Sequence, residues 1–387
     1  MIHLTLSPAL SRWRGGVRGV RAVTLAGMAA ALAVLTTGGC DDPQPGPGAG
    51  TSQPERSTAD ASADAPASRE PATAAGDVDE ADRRLRELQQ AYVNRSQSGE
   101  ELGPLIVRLH EHAAAYPTHA ASRVLLAQAL LSANRAEPAH AAMERAIELE
   151  PDRGTWRQLA GTVAVKAGQA DRAETHFRRA IELRPGDPLP RLLLATLLVD
   201  TDRADQARAL CRDALSLDSS LHRAHHLLAA IALERQRFVE ARTHARRARE
   251  LVSDAERNAA RSRRVYAVMH ARVLQAENRP ADALAVLRSI EDPAQQGHPE
   301  VLELAASCHV ANGRPDLAAR EYERLLIERP ADLDLAEQAA RWHLEAGQLD
   351  AARDLLRYAR RVDPAAAETR RIARLVAEAE RGVDASP

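Results

Sequence analysis

Lysine is almost missing from this chain. Lys166 is the single one among 387 residues, and arginine carries every other full positive charge. Aromatic side chains make up 3 %, too few for the stacking platforms on which bases or sugars are held. The formal net charge is −2, so no bulk field draws nucleic acid or an acidic membrane surface. The 14 histidines and three cysteines contain no H-E-x-x-H or C-x2-C spacing, and no nucleophile elbow, phosphate loop or paired-carboxylate signature is present. These absences predict a chain that is not an enzyme and uses no cofactor, with no catalytic residue and no metal ligand set. Strand signals are lacking too, which leaves an all-α fold.

What the chain does have is a periodic device. Ala173, Phe177 and Ala180 lie at i, i+4 and i+7, on one helical face, and Pro185 stops the helix. The two alanines let a second helix come close. The same device recurs at one fixed interval: Ala139, Met143 and Ala146 before it, then Ala207, Cys211 and Ala214, then Ala241, Ala245 and Ala248. Extending the register adds Leu105 with Leu109 upstream, and Ala283 with Leu287, Ala318 with Tyr322 and Ala352 with Leu356 downstream. Turn residues agree with this frame. Asn134, Gly168, Asp202, Asn278, Gly313 and Gly347 stand where a left-handed residue ends a helix, and Pro138, Pro280 and Pro315 stand near the start of the next.

A repeating unit of about 34 residues with A-x3-F in its second helix resembles the tetratricopeptide repeat family. Trp156, Leu159 and Ala160 are similar to the opening of that family's first helix, and its small packing residue is matched by Ala127, Gly161, Ala195, Ala229, Ala271, Ala306 and Ala340. The resemblance implies a right-handed α-solenoid of about eight helix-turn-helix repeats over residues 83–364, closed by a capping helix and tail over 365–387. It also implies a groove lined by the first helices that takes a peptide or helix of a protein partner. By register the groove candidates are Gln128, Gln158, Thr162, Lys166, Thr196, His226, Arg272, Glu303, Glu337 and Arg341. Glu300, Glu303, Asp334, Glu337 and Glu345 make the carboxyl-terminal part lean acidic, which suits a basic extended segment. The family's Lys–Asn clamp for a peptide carboxylate is absent.

The amino end is of another kind. Arg12, Arg14, Arg18 and Arg21 precede an uncharged run from Ala22 to Gly39, which is the layout of a secretory signal over residues 1–39. Cys40 follows Gly38-Gly39 and resembles the lipidated cysteine of bacterial lipoproteins. An uncleaved anchor and ordinary cleavage remain alternatives, since a run of this length stands at the lower limit for a span. Residues 40–82 read as a disordered acidic linker. Residues 41–80 hold six Pro, four Gly and a charge of −7, with nothing to offset the entropy of ordering. The expected place is therefore the bacterial cell envelope, lipid-anchored through Cys40 and facing the periplasm or exterior.

Two local features stand out. The step from Ala241 to Ala283 exceeds the others by roughly two helical turns, so a longer first helix is expected near 254–276, among Arg246, Arg247, Arg249, Arg257, Arg261, Arg263 and Arg264. His222, His225 and His226 crowd one helix start, and His309 and His343 occupy equivalent positions in adjacent repeats. Cys211 and Cys308 lie in different repeats, beyond disulfide reach, and are expected as free thiols. Together these features predict a non-enzymatic protein-binding scaffold. A component of a pilus, outer-membrane or polysaccharide export assembly is the narrower alternative; a metal-binding or hydrolytic protein using groove histidines is the alternative of another class.

Overall fold

The computed structural model describes residues 74–256 and 258–384. The signal-like segment, Cys40, Arg257 and most of the acidic linker lie outside them. The described residues form 18 α-helices and no strand. None of these helices is long and apolar enough to cross a membrane.

The chain divides into two compact units, one up to Arg203 and the other from Ala204. The first holds α1 (Ala74–Ser98), α2 (Gly103–Ala115), α3 (Ala120–Ser132), α4 (Ala136–Leu149), α5 (Gly154–Lys166), α6 (Ala170–Leu183) and α7 (Pro188–Asp200). The second opens with α8 (Ala204–Leu217), α9 (His222–Glu234), α10 (Phe238–Glu250), α11 (Ala259–Ala276) and α12 (Pro280–Arg288). It continues through α13 (Pro293–Gln296), α14 (Pro299–Ala311), α15 (Pro315–Glu328), α16 (Leu333–Glu345), α17 (Leu349–Val362) and α18 (Ala367–Asp384). Within each unit consecutive helices pack on one another, hairpin after hairpin. This is the all-α helix-turn-helix architecture expected from the spacing.

The anchors explain the stacking. Ala139, Met143 and Ala146, Ala173, Phe177 and Ala180, and Ala241, Ala245 and Ala248 are all fully buried. Alanine at both ends of the triplet leaves room for a neighbouring backbone, and the larger residue between them fills the gap between helices. Tyr322 departs from the pattern and is only half-buried; Leu325, one turn on, takes the deep place. Cys211 and Cys308 are buried free thiols, and burial pushes them up to about 12 and about 11 respectively.

Each first helix ends in the same way. Arg135 N–H donates to Leu130 O at 2.8 Å, Gln169 to Ala164 at 2.8 Å, Arg237 to Ala232 at 2.8 Å and Gln348 to His343 at 2.8 Å. These closures form when the residue before the donor is left-handed. Asn134, Gly168, Asp202, Asn278, Gly313 and Gly347 are left-handed as the sequence suggests, and Gln236 joins them at φ 57°. Glutamine has no intrinsic preference for that region, so the repeat frame, not its own chemistry, holds it there.

Several boundaries differ from expectation. α1 begins at Ala74, so residues 74–82, assigned to the disordered linker, are helical. Alanine has the highest helix propensity, and the helix begins at Ala74-Ala75. The first repeat is a full hairpin: Leu85, Leu88 and Tyr92 of α1 are buried, and Tyr92 Oη lies 2.8 Å from Ser132 Oγ. The insertion does lengthen its first helix, to 18 residues against 13 in its neighbours, but the helix does not reach back to Asp254. α11 starts at Ala259, α12 ends early at Arg288, and the short α13 fills the space before α14. The last helix runs Ala367–Asp384, burying Ile372 and Val376 against the preceding pair.

Arginine ties successive repeats together. Arg203 forks onto Glu174 at 2.6 and 3.1 Å, Arg208 reaches Glu240 at 2.8 Å, and Arg242 reaches Glu277 at 2.6 Å. The guanidinium matches a carboxylate with two parallel donors, which a lysine ammonium does not do. Glu174 is held below the usual carboxylate range chiefly by Arg203.

Candidate functional site

In the first unit the five register candidates separate by burial. Thr162 and Thr196 are buried, and each hydroxyl donates back to its own helix, to Gln158 O at 3.1 Å and Leu192 O at 2.9 Å. Gln158 is 1 % exposed and neither amide atom has a partner. Gln128 and Lys166 are half-buried, with part of the side chain open to solvent. So this face offers Gln128 and Lys166, and it places the other three inside the hairpin stack.

The second unit carries a denser polar belt on its first helices. His222 Nδ1 lies 2.6 Å from Tyr266 Oη, and its Nε2 lies 3.3 Å from Glu256. The His226 ring packs on Tyr266 at 5.0 Å; burial, with Arg272 and Arg223 adding positive charge, lowers it to about 4. His225 turns away to His244, Nδ1 to Nδ1 2.9 Å. His222 and His226, four positions apart on one helical face, thus share Tyr266, while His225 points to another side.

One carboxylate, Glu300, serves two arginines. Arg272 donates to it at 2.9 Å and Arg264 at 3.1 Å, while Arg264 also reaches Gln295 at 2.8 Å and His298 at 3.0 Å. Arg264 is 6 % exposed, so its charge stays in the fold because those acceptors surround it. Glu337 and Asp334 are bound by Arg371 of α18 at 2.7 and 3.5 Å. The acidic lean read from the sequence is therefore reduced, since arginines from other helices take up Glu300, Glu337 and Asp334. Glu303, Arg341 and Glu345 stay exposed. Glu303 is reached by water yet ringed by protein, and this desolvation raises its carboxyl above the ordinary range.

The arginine-rich insertion is likewise paired. Arg263 binds Asp254, Arg246 and Arg247 share Glu250 at 3.5 and 3.4 Å, and Arg249 donates to His270 Nδ1 at 3.1 Å and Ser289 Oγ at 2.9 Å. A pocket of about 530 Å³ lies between α10, α11 and α12, lined by Arg242, Arg246, His270, Arg279 and Asp282 among others. Burial first, then Arg249, Arg246 and Arg242, push His270 down to about 4, so at neutral pH its ring is uncharged and accepts a hydrogen bond from Arg249. Arg279 is held by Asp282 at 2.6 Å. These walls can bind a polar group, but none of the pocket residues pairs a nucleophile with a base.

His309 and His343 are both buried. His343 is satisfied by Gln348 at 2.7 Å and Glu323 at 3.0 Å, a packing arrangement. The signals that the sequence reading missed are Tyr266, Gln295 and His298, which only the insertion's fold brings to Arg264 and His222.

Known proteins resemble the chain in two ways. Residues 164–231 match one sequence family and residues 111–188 and 268–332 another, both described as tetratricopeptide repeat. Among solved structures, the hetero-tetramer Cut9-Hcn1 of the APC/C aligns at 16 % identity over 65 % of this chain and 48 % of its own, with TM-score 0.52. Its likeness is one of fold, and this chain spans about half its length. YrrB, a TPR protein with an unusual peptide-binding site, aligns at 20 % identity over 53 % of this chain and 97 % of its own, with TM-score 0.41. A tetratricopeptide repeat protein from Parabacteroides merdae aligns at 14 % identity over 62 % and 91 %, with TM-score 0.47. No curated protein matches in sequence.

Proposed function

We propose that this chain, which belongs to the tetratricopeptide repeat family, is a non-enzymatic scaffold that binds a polypeptide on its first helices. The observation that carries this is the polar fringe of the first helices: packed deeply on one side, they still leave Glu303 and Arg341 exposed and Gln128 and Lys166 partly open to solvent. Cations and anions on the second unit's face are largely paired with one another, so recognition rests on shape and hydrogen bonds more than on net charge. The elevated pKa values of both described thiols speak for packing, since only a thiolate is a strong nucleophile.

The site of action belongs to the same proposal: the bacterial cell envelope, with Cys40 carrying a lipid and facing the periplasm or exterior. The arginine-bearing start, the uncharged run and Gly38-Gly39-Cys40 support it. Two experiments test the pair of ideas. A photo-crosslinking residue at Gln128, Lys166, Glu303 or Arg341 should capture a protein partner in cells, while one at Val239 or Ile327, exposed on second helices, should not. The opposite pattern refutes the first-helix face. Cys40→Ala should abolish labelling by a fatty-acid probe; labelling that persists refutes the anchor.

A further inference from the structure

A buried cluster on the second helices of the first unit has no part in the binding face. His140 and Glu144 lie one turn apart on α4, and His176 comes from α6. His140 is 4 % exposed and His176 5 %. Both imidazoles point Nε2 at the same carboxylate oxygen, Glu144 Oε1, from 3.2 Å and 2.9 Å. The three ligand atoms lie within 4.8 Å of one another. His140 Nε2 is shut off from water and makes no hydrogen bond.

Two ring nitrogens and one carboxylate oxygen are the donor set of the open three-ligand zinc sites. Bonds of about 2.0–2.1 Å in a tetrahedron put neighbouring ligand atoms about 3.3 Å apart, and the two nitrogen–oxygen separations fall just short of that. A buried nitrogen that lies 3.2 Å from a carboxylate oxygen yet makes no hydrogen bond to it calls for an explanation, and an ion drawn between the three atoms supplies one. Burial lowers His176, against the raising effect of Glu144. Arg157, whose charge also reaches His176, donates to the Pro151 carbonyl at 3.1 Å. His176 Nδ1 has no hydrogen-bond acceptor, so this imidazole lacks the outer hydrogen bond that usually fixes a ligating ring.

We propose that His140, Glu144 and His176 bind one divalent late transition-metal ion of the Zn2+ class, which clamps α4 to α6 across neighbouring repeats. Imidazole nitrogen selects this class over Mg2+ or Ca2+, which take oxygen ligands. Glu144 is the half-exposed member of the three, so a water would complete the shell on its side. The inference is independent of what the first helices bind, because none of the three residues lies on a first helix.

The test uses the untagged full chain, stripped with chelator and dialysed. Zn2+ titration should give one equivalent per chain and raise the melting temperature, and Co2+ should give the visible absorption of a tetrahedral site. Glu144→Gln keeps a polar group at a half-exposed position and should weaken Zn2+ binding by about 100-fold or more, judged against the smaller effects of outer partners. His176→Gln should do the same. His244→Gln, which breaks the other close histidine pair, should leave affinity unchanged. Absence of Zn2+ binding in the stripped chain overturns the proposal. So does unchanged affinity in both Glu144→Gln and His176→Gln, or loss confined to His244→Gln.

Discussion

Gly161 and Phe177 form a matched pair, and the match can be measured. A Cβ placed on Gly161 would stand 2.5, 2.6 and 2.9 Å from three carbons of the Phe177 ring, roughly an ångström inside ordinary van der Waals contact. The ring is fully buried and has little room to withdraw. Overpacking of this kind costs about 1–3 kcal/mol, while alanine in a helix interior returns about 1 kcal/mol over glycine. Gly161→Ala should therefore destabilise by up to about 2 kcal/mol. The preceding repeat shows the alternative solution, since the same two positions there hold Ala127 and Met143, both fully buried. Phe177→Met alone leaves a gap and should cost about 1–2 kcal/mol. The double variant recreates the neighbouring pair, so it should recover about 1 kcal/mol or more relative to the sum of the singles. Urea denaturation of the full chain and three variants closes the cycle. Gly161→Ala that stabilises, or singles that simply add, would refute this account of the close approach.

Three further expectations follow from individual residues. Gln158→Met removes two buried amide atoms without partners and should raise stability by about 1 kcal/mol or more, read as a higher urea midpoint; a lower midpoint would mean that the amide is satisfied. Gln236→Gly relieves a left-handed side chain at φ 57° and should gain a few tenths to about 1 kcal/mol after the entropy of glycine is charged. The same swap at Arg235, which is not left-handed, should destabilise, which makes it the control. His270 titrates at about 4 in the fold against an ordinary 6.5, so the unfolded chain takes up its proton first. This contribution leaves stability flat above the ordinary value and lowers it as pH falls toward the folded one, by on the order of 3 kcal/mol in all. His270→Gln should flatten that part of a stability–pH curve, and an unchanged slope would place the titration elsewhere.

The repeat frame was legible because its signal is local. Small residues at i and i+7 with a larger one at i+4 fix a helix face within two turns, and an Asn or Gly at the turn fixes where the helix ends. Gln236 escaped because nothing in glutamine marks a left-handed residue; only the repeat frame does. The start at Ala74 escaped because alanine and acids without apolar periodicity read equally as linker. The binding face was less legible. Whether Thr162 turns outward or bonds its own helix, and whether Glu337 is free or held by Arg371, depends on neighbours a whole repeat away that no single-helix pattern can weigh. The metal-like cluster was hidden for the same reason: Glu144 and His176 belong to different repeats and converge only once α4 and α6 stack.

The central claim is that first helices, and not second helices, take the partner. Once crosslinking has identified that partner, its affinity for purified chain decides the matter. Glu303→Ala combined with Arg341→Ala should weaken binding about tenfold or more, as truncation of contact residues does, while Val239→Ala with Ile327→Ala leaves it unchanged. Equal affinity in the first pair and loss in the second would contradict the account.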